Sequence, residues 1–220
     1  MKAFFSEQYD DIYFNNDNPE AEKDFVFIQG NNLPLRLQHN ADLVVAELGF
    51  GYGLNCALLL TAAREASFSG RLHFYSVEEK LPDFDAVSEL LPKLTRSRQA
   101  YEALWQHRDT ISRGETVTLF GAHVTVFPGQ VNEFLASSGF LADAWFFDGF
   151  SPAKNPAMWS DAVFASAFAR TREHGTFATY SSAGWVRRNL VAAGFAVKKV
   201  TGFAGKREML IGIKEKDAPK

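Results

Sequence analysis

The amino-acid sequence predicts an α/β domain with a Rossmann-like, doubly wound architecture. From residue 42 onward, short buried strands alternate with helices, and a glycine-rich segment follows the first of these strands. Such alternation is typical of a mostly parallel sheet covered by helices on both faces. We expect an N-terminal extension over residues 1–40, packed on a core domain over residues 41–220. The sheet of that domain is expected to end in a C-terminal antiparallel hairpin.

The predicted elements follow from the spacing of apolar residues. Short apolar runs that end at polar or glycine-rich sequence indicate buried strands, and alternation around Gly121 indicates a hairpin. Predicted strands cover residues 25–28, 43–46, 72–77, 116–127 (the hairpin), 144–147, 176–180, 195–200 and 208–213. Predicted helices cover residues 54–66, 83–107 with a break at Pro92, 157–172, and 183–193 before Gly194.

The composition indicates an ordinary globular protein. The chain has 220 residues, of which 46% are hydrophobic and 22% charged, so it is long enough to bury roughly 70% of its unfolded surface. A single cysteine excludes an intramolecular disulfide and argues against a thiolate metal cluster. We find no signal peptide and no apolar run near the ~20 residues that span a bilayer. We therefore expect a cytoplasmic protein with no membrane partner and no metal.

The loop after the first core strand predicts a cofactor site. Gly49, Gly51 and Gly53 allow a tight turn and close approach to a ligand, with G-x-G-x-G spacing instead of the dinucleotide fingerprint G-x-G-x-x-G. Glu47 ends the strand, where a carboxylate attracts an ammonium and repels a pyrophosphate. Because S-adenosylmethionine carries an amino-acid moiety and no phosphate, we predict a class I S-adenosylmethionine-dependent methyltransferase that binds it from Glu47 to Asn55. A ligand-free turn and a dinucleotide-binding oxidoreductase are the alternatives; Glu47 and the spacing argue against the second.

Two more polar residues at strand ends are candidate cofactor ligands. Glu78 ends the second core strand, where a carboxylate accepts hydrogen bonds from ribose hydroxyls, and we prefer it over Glu79. The alternative is a solvated acidic pair. Gln130 follows the third strand, where many methyltransferases place an aspartate against the adenine amine, and its side-chain carbonyl is the candidate contact.

Residues 143–159 predict the reacting end of the site. Asp148 follows a central strand, at the crevice where doubly wound folds bind ligands, so we predict that it contacts both cofactor and acceptor. Phe150 and Trp159 are candidate walls for a flat substrate, and Lys154 is a candidate phosphate contact. The alternatives are a turn cap for Asp148 and a core anchor for Trp159.

Five segments together resemble one family. They are residues 5–14, 47–55, 143–159, 179–188 and 202–210. They resemble the methyltransferase domain of the MnmC family, whose members complete 5-methylaminomethyl-2-thiouridine at the tRNA wobble position. The resemblance extends from about residue 4 to 213 and departs from the family at Gln130. It implies methyl transfer from S-adenosylmethionine to the primary amine of 5-aminomethyl-(2-thio)uridine.

In that family an FAD-dependent oxidoreductase domain usually follows the methyltransferase domain. The present chain stops after the last methyltransferase strand, so the resemblance implies either a stand-alone form or one domain of a longer protein. A separate FAD-dependent oxidoreductase is then an expected partner. Two alternatives to the tRNA reaction stay open: methylation of a small-molecule amine, and a non-catalytic methyltransferase fold that partners an oxidoreductase.

An amine acceptor constrains the role of Asp148. An alkylammonium has a pKa near that of lysine, about 10.4, so making it neutral at pH 7 costs on the order of 4–5 kcal/mol. A nearby carboxylate holds the ammonium form. We therefore expect Asp148 to orient the amine and to take up developing positive charge, while proximity to the methyl group supplies much of the acceleration.

The charge distribution predicts where an anticodon stem-loop binds. Residues 1–141 hold 11 Lys and Arg against 19 Asp and Glu, whereas residues 142–220 hold 12 against 7. RNA should therefore meet the C-terminal third. Candidate phosphate contacts are Arg187, Arg188, Lys206 and Arg207, and Phe14 joins Phe150 and Trp159 as a candidate for stacking on an unpaired base. The alternative for the basic residues is plain solvated surface.

Overall fold

The computed structural model describes residues 4–13, 18–39, 41–205 and 208–216. The strands are β1 Phe5–Ser6, β2 Asp11–Ile12, β3 Leu43–Leu48, β4 Leu72–Glu78, β5 Val117–Leu119, β6 Ala122–Pro128, β7 Ala142–Phe147, β8 Thr171–Thr179, β9 Ala196–Val200 and β10 Met209–Ile213. The α-helices are α1 Pro19–Lys23, α2 Leu33–Arg36, α3 Leu54–Glu65, α4 Phe84–Leu90, α5 Arg98–Gln106, α6 Arg108–Ser112, α7 Val131–Ser137, α8 Asp161–Ala169 and α9 Gly184–Ala193.

Within the described ranges, eight strands form one sheet in the order β5-β6-β4-β3-β7-β8-β10-β9. The five strands from β6 to β8 are parallel. β10 runs antiparallel between β8 and β9, and β5 pairs antiparallel with β6. The predicted fold class is therefore confirmed, including the C-terminal antiparallel pair and the hairpin around Gly121. The strand order reverses at β3, which pairs with β4 on one side and with β7 on the other.

Alternation along the strands produces two hydrophobic layers. On β7, Phe146 faces the cluster that contains α3 and α5, and Phe147 faces the cluster that contains α8 and α9. Both side chains are almost fully buried. Because successive strand residues point to opposite faces, both faces of β7 must be covered by helices. This double cover explains why its sequence is a continuous apolar run.

The predicted strand at residues 25–28 is wrong. Asn18 caps α1 by accepting a hydrogen bond from Ala21 N at 3.1 Å, with Pro19 in the first turn. The helix continues from α1 into a π-helical segment, Asp24–Gln29, whose middle residues are buried in the core. Short apolar runs do not distinguish a buried strand from a buried helical turn. The helix start at Asn18 is the signal that decides between them.

The predicted helix over residues 157–172 is shorter than expected. Pro156–Trp159 form one 3₁₀ turn, and α8 begins only after Ser160, whose hydroxyl accepts from Val163 N at 3.4 Å. Its C-terminal end is also earlier, because Thr171 already belongs to β8. A serine that caps its own helix start explains the delayed beginning.

Candidate active site

A cavity of about 520 Å³ opens at the carboxyl ends of β3, β4 and β7. Its walls come from the glycine-rich loop, the ends of these strands, the start of α7 and the segment after β7. Residues 9–13 and the helical segment at residues 22–27 complete them. It lies at the point where the strand order reverses, which is where doubly wound folds bind ligands. The volume is in the range of pockets that enclose a small molecule.

The glycine-rich loop forms one wall of this cavity. Gly49 has φ +93°, and a Cβ there would lie 2.2 Å from the carbonyl oxygen of Asp148. Gly51 has φ +50° and lies against the ring of Tyr13. Both glycines line the cavity, whereas Gly53 caps the start of α3 and packs against Phe50, away from the cavity. The first two glycines are therefore the ones that bring backbone to a ligand.

Glu47 lies behind the cavity wall and does not line the cavity. The sequence predicts a direct contact with the cofactor, which would require it to do so. Its side chain is fully buried and accepts hydrogen bonds from Asn55 Nδ2 at 2.8 Å and Ser76 Oγ at 2.7 Å. Burial, together with the charge of Asp148, raises the pKa of Glu47 to about 8. Its contact with the cavity runs through Asn55.

Asn55 joins two carboxyl groups and still holds an unused acceptor. Its Nδ2 donates to Glu47 at 2.8 Å and to Asp148 Oδ2 at 2.7 Å. Its Oδ1 is buried and has no hydrogen-bond partner among the residues that the structure describes. A buried amide oxygen without a partner is costly, so it fits an N–H donor from a ligand such as the ammonium of a methionine moiety.

Glu78 and Gln130 both line the cavity on the side of β4 and β6. The carboxylate of Glu78 accepts from Gly51 N at 2.7 Å, and burial raises its pKa to about 7. Glu79 also reaches the cavity, but its carboxylate accepts from Tyr9 Oη at 3.0 Å. Gln130 is exposed at the start of α7. These positions place a carboxylate and an amide together on the side where a nucleoside is expected.

Lys23 is the functional candidate that the sequence reasoning missed. Its Nζ lies 2.5 Å from Asp148 Oδ2, and the two side chains are only 9% and 11% exposed. Lys23 also lies over the ring of Phe27, 5.3 Å from its centroid. Because the sequence pattern predicts a strand at residues 25–28, nothing in it places Lys23 on a helical segment that lines the site.

The same end of the cavity holds further acidic and aromatic groups that were not predicted. Asp11 and Glu22 line it together with Asp148, and Tyr180 closes it from the end of β8. The hydroxyl of Tyr180 donates to the carbonyl of Gly149 at 2.7 Å, and burial raises its pKa well above the usual value. Asp11 and Glu22 add two carboxylates beside the Lys23–Asp148 ion pair, which makes this end attractive to a cationic ligand.

Residues 4–13, which we call the N-terminal strap, cross the cavity mouth. Phe150 lines the cavity and stacks on Tyr9 with ring centroids 4.6 Å apart. Tyr13 meets the same ring edge-on at 4.8 Å. The strap is also held by Asp11 Oδ2, which accepts from Ser151 N at 2.8 Å. Phe150 is therefore an aromatic part of the cavity wall, and its role beside a flat substrate stays a prediction.

Trp159 and Lys154 lie elsewhere than predicted. Trp159 is 1% exposed and donates through Nε1 to the carbonyl of Phe150 at 2.8 Å. It is a core anchor that supports the loop from behind and does not line the cavity. Lys154 is also outside the cavity wall, and its ammonium pairs with the carboxylate of Asp10 on the strap. Its predicted phosphate contact would have to displace this ion pair.

The predicted basic contacts are only partly described. Arg187 and Arg188 are exposed on α9. Phe14, Lys206 and Arg207 lie outside the described residues.

In the ranges that the structure covers, no helix has both the length and the apolar character to cross a membrane. No group of three or more His, Cys, Asp or Glu side chains in the same ranges is arranged to hold a metal ion.

Comparison with known proteins identifies relatives over most of the chain. A family model described as S-adenosyl-L-methionine-dependent methyltransferase matches residues 94–215. Two relatives are each named tRNA 5-methylaminomethyl-2-thiouridine biosynthesis bifunctional protein MnmC. The one from Aeromonas hydrophila is 38% identical over 234 residues, covering 97% of this chain and 34% of the relative. The one from Caulobacter vibrioides is 43% identical over 209 residues, covering 93% and 35%. The chain thus spans about a third of the length of these curated relatives.

Solved structures share the fold. A crystal structure of MNMC2 from Aquifex aeolicus superposes with a TM-score of 0.81 at 23% identity, covering 98% of this chain and 67% of that chain. Spermidine synthase from Thermotoga maritima superposes with a TM-score of 0.53 at 14% identity, covering 91% and 62%. At these identities the likeness concerns the fold alone.

Proposed function

The chain belongs to the family of S-adenosyl-L-methionine-dependent methyltransferases, and we propose that it methylates the primary amine of 5-aminomethyl-(2-thio)uridine at the wobble position of tRNA. The product is 5-methylaminomethyl-(2-thio)uridine. The observation that carries this proposal is the acidic end of the cavity, where Asp11 and Glu22 add negative charge beside the Lys23–Asp148 ion pair. The names of the two relatives support the choice of substrate.

The cofactor side of the cavity is assigned to residues that fit S-adenosylmethionine, which supplies an electrophilic methyl group on a sulfonium. Asn55 offers its buried Oδ1, which has no partner among the described residues, to the ammonium of the methionine part. Gly49 and Gly51 let the loop backbone that lines the cavity pack against the Asp148 carbonyl and the Tyr13 ring, where a Cβ would be too close. Glu78 is assigned to the ribose hydroxyls and Gln130 to the adenine, both from their places on the cavity wall.

The acceptor side is assigned to Asp148 and Phe150. Asp148 is held by Asn55 and Lys23 on its Oδ2, so its second oxygen is available to accept an N–H from the amine and to orient the nitrogen lone pair. Holding amine and methyl group in line converts a bimolecular step into one within the complex. Phe150 is the candidate stacking surface for the uracil ring, since an anticodon base is unpaired and can be splayed out.

The RNA and oxidoreductase partners are part of the same proposal. We assign the anticodon stem to the basic C-terminal third, with Arg187 and Arg188 exposed there, and we place the reaction in the cytoplasm. The aminomethyl group has to be made first, and we assign that step to an FAD-dependent oxidoreductase. The word bifunctional in the relatives' names, and the third of their length that this chain spans, support a second activity beside this one.

The proposal is tested by transfer of labelled methyl from S-adenosylmethionine to tRNA from cells that lack this last modification step. Nucleoside analysis should place the label in 5-methylaminomethyl-2-thiouridine. Asp148→Ala should reduce turnover by about 100-fold or more, on the scale of removing one positioned catalytic group. Asp109→Ala removes an exposed carboxylate from the first turn of α6, outside the cavity, and serves as the matched control for folding. Label in small amines and none in tRNA would contradict the tRNA substrate.

A further inference from the structure

The buried ammonium of Lys23 lies beside Asp148 at the reacting end of the cavity. The proposed function assigns it no role in the reaction. Its ion pair with Asp148 is 2.5 Å long and almost fully buried. Buried ion pairs are weak evidence for stability, because desolvation of the two charges offsets their attraction. Stability alone therefore does not explain a lysine aimed at this carboxylate.

An amine acceptor creates a specific difficulty at Asp148. The acceptor arrives as an ammonium, since alkylamines have a pKa near that of lysine, about 10.4. Only the neutral amine has the lone pair that attacks a methyl group. A carboxylate within hydrogen-bond reach favours the charged form, so an unpaired Asp148 would hold the acceptor in its unreactive state.

We propose that Lys23 is a positioning residue that neutralises Asp148, so that the acceptor amine binds as the neutral nucleophile. This inference rests on the proposed amine methylation. Both hydrogen bonds that Asp148 accepts within the described residues, from Lys23 and Asn55, go to Oδ2. Oδ1 then accepts an N–H from a neutral amine, while the fixed ammonium of Lys23 opposes a second positive charge beside it.

The other ionisable groups around this position agree with that role. Asp11 and Glu22 face the cavity from the strap and from α1, where they attract the cationic substrate before its ammonium releases a proton beside Asp148. Tyr180 faces it from β8 and keeps its proton, since burial raises its pKa. Glu47 lies behind Asn55, and burial raises its pKa to about 8, so it is mostly protonated at neutral pH. The ammonium of Lys23 thus offsets the negative charge of Asp148, which accepts a hydrogen bond from Asn55.

The position of Lys23 is set by a second buried carboxylate. Glu20, one turn earlier on α1, accepts from the backbone and hydroxyl of Ser97 at 2.7 and 2.6 Å and from those of Thr95 at 2.8 and 2.9 Å. These four bonds anchor α1 to the segment before α5. Lys23 is therefore presented from a fixed helix and not from a mobile loop, as a positioning group requires.

The proton balance follows from this arrangement. The acceptor ammonium releases one proton to solvent as it binds, and its lone pair then forms the N–C bond while the sulfonium–methyl bond breaks. The product leaves as a secondary ammonium, which re-equilibrates with solvent. Removing Lys23 should therefore suppress proton release on binding and move the acidic limb of the rate profile to higher pH.

Proton release is measured by calorimetry without turnover. The ligand is an anticodon stem-loop RNA with one 5-aminomethyl-2-thiouridine, titrated into protein saturated with S-adenosylhomocysteine at pH 7.5 in buffers of different ionisation enthalpy. The wild-type protein and Lys23→Arg should release about one proton, because the free amine is fully protonated at this pH. Lys23→Met should release markedly less. Equal release by all three proteins would overturn the inference.

The pH dependence of kcat supplies the second readout, since it reports ionisations in the bound complex. Lys23→Met should move the acidic limb upward by about 1–2 pH units, the scale of one unmasked carboxylate. The double variant Lys23→Met/Asp148→Asn should return the limb toward its wild-type position, because the amide carries no charge. Methyl transfer by the wild-type protein with an unshifted limb in Lys23→Met would overturn this inference alone. No transfer by the wild-type protein would overturn the proposed function as well.

Discussion

Two buried carboxyl groups beside the glycine-rich loop have pKa values that their surroundings raise. Burial raises the pKa of Glu47 to about 8 and that of Glu78 to about 7. Carboxyl groups with displaced pKa values cluster at functional sites, because such sites bring charges together in poorly solvated places. At the residue scale, ionisation of these two carboxyl groups is therefore unfavourable in the folded protein, at a free-energy cost that interactions with a bound ligand can offset.

Glu47→Gln should change how stability depends on pH. A carboxyl group whose pKa is higher in the folded state binds more protons when folded, so the free energy of unfolding falls as pH rises from about 4.5, its usual pKa, to about 8. Glutamine does not ionise; its Oε1 can still accept from Asn55 Nδ2, while its Nε2 donates to Ser76 Oγ in the reverse direction. Urea unfolding at pH 5.5 and 8.5 should therefore show a smaller loss of stability in the variant than in the wild-type protein.

Glu78 ionises in both proteins over part of the same range, so only the difference between the two proteins reports on Glu47. An identical loss between pH 5.5 and 8.5 in wild type and variant would show that Glu47 is already ionised in the folded protein. Burial of Glu47 would then not hold the proton on its carboxyl group, contrary to the raised pKa that we infer.

At the scale of single elements, the glycine-rich loop makes the sharpest prediction. Gly49→Ala introduces a Cβ that would lie 2.2 Å from the Asp148 carbonyl, at a φ of +93° that an L side chain rarely adopts. The loop has to shift, so S-adenosylhomocysteine binding should weaken by about 10-fold or more, as expected for more than ~1.4 kcal/mol of strain. Calorimetric titration measures this change.

Gly139→Ala is the matched control for that experiment. A Cβ at this position meets no atom within 4 Å, and the backbone is not in the left-handed region. Its affinity for S-adenosylhomocysteine should equal that of the wild-type protein. If Gly49→Ala binds equally well, the close approach of the loop to the Asp148 carbonyl is not needed for cofactor binding.

The elements that the sequence predicts well are those with an unambiguous pattern. β3 and β7 contain continuous apolar runs at residues 43–46 and 144–147, and β4 alternates before it ends at Glu78. Glu78 and Asp148 therefore lie on the cavity wall at the strand ends. The prediction for residues 25–28 is wrong because a short apolar run fits a helical turn as well as a strand. Lys23 is missed for the same reason, since its role depends on that helix.

Other site features depend on contacts that no local pattern encodes. Trp159 is predicted beside the substrate, but its indole is buried and bonded to the Phe150 carbonyl. Asp11 reaches the cavity only because the strap returns across the segment after β7. Tertiary folding brings these groups together from distant parts of the chain, so spacing along the sequence could not place them.

At the scale of the whole molecule, the charge asymmetry predicts how RNA binds. The acidic first 141 residues carry 11 Lys and Arg against 19 Asp and Glu, so phosphate contacts should concentrate in the C-terminal third. Arg187→Ala/Arg188→Ala should weaken binding of the anticodon stem-loop and reduce the slope of log K against log salt by about two, or nearly one for each lost phosphate contact. Titrations at several salt concentrations measure the slope.

Arg71→Ala is the control for charge alone. Arg71 is exposed and pairs with Asp42 just before β4, at the end of the sheet opposite the cavity. Its loss should leave the salt slope unchanged. A slope that falls equally in both variants would mean that RNA binding depends on the total charge of the protein and not on the two arginines of α9.

Methylation of a wobble aminomethyl group is best tested with two anticodon stem-loop RNAs that differ at one nucleotide. One carries 5-aminomethyl-2-thiouridine at the wobble position and the other carries 2-thiouridine. We expect labelled methyl from S-adenosylmethionine to enter only the first RNA and to be recovered as 5-methylaminomethyl-2-thiouridine. Equal labelling of both RNAs, or label at another nucleotide, would contradict it.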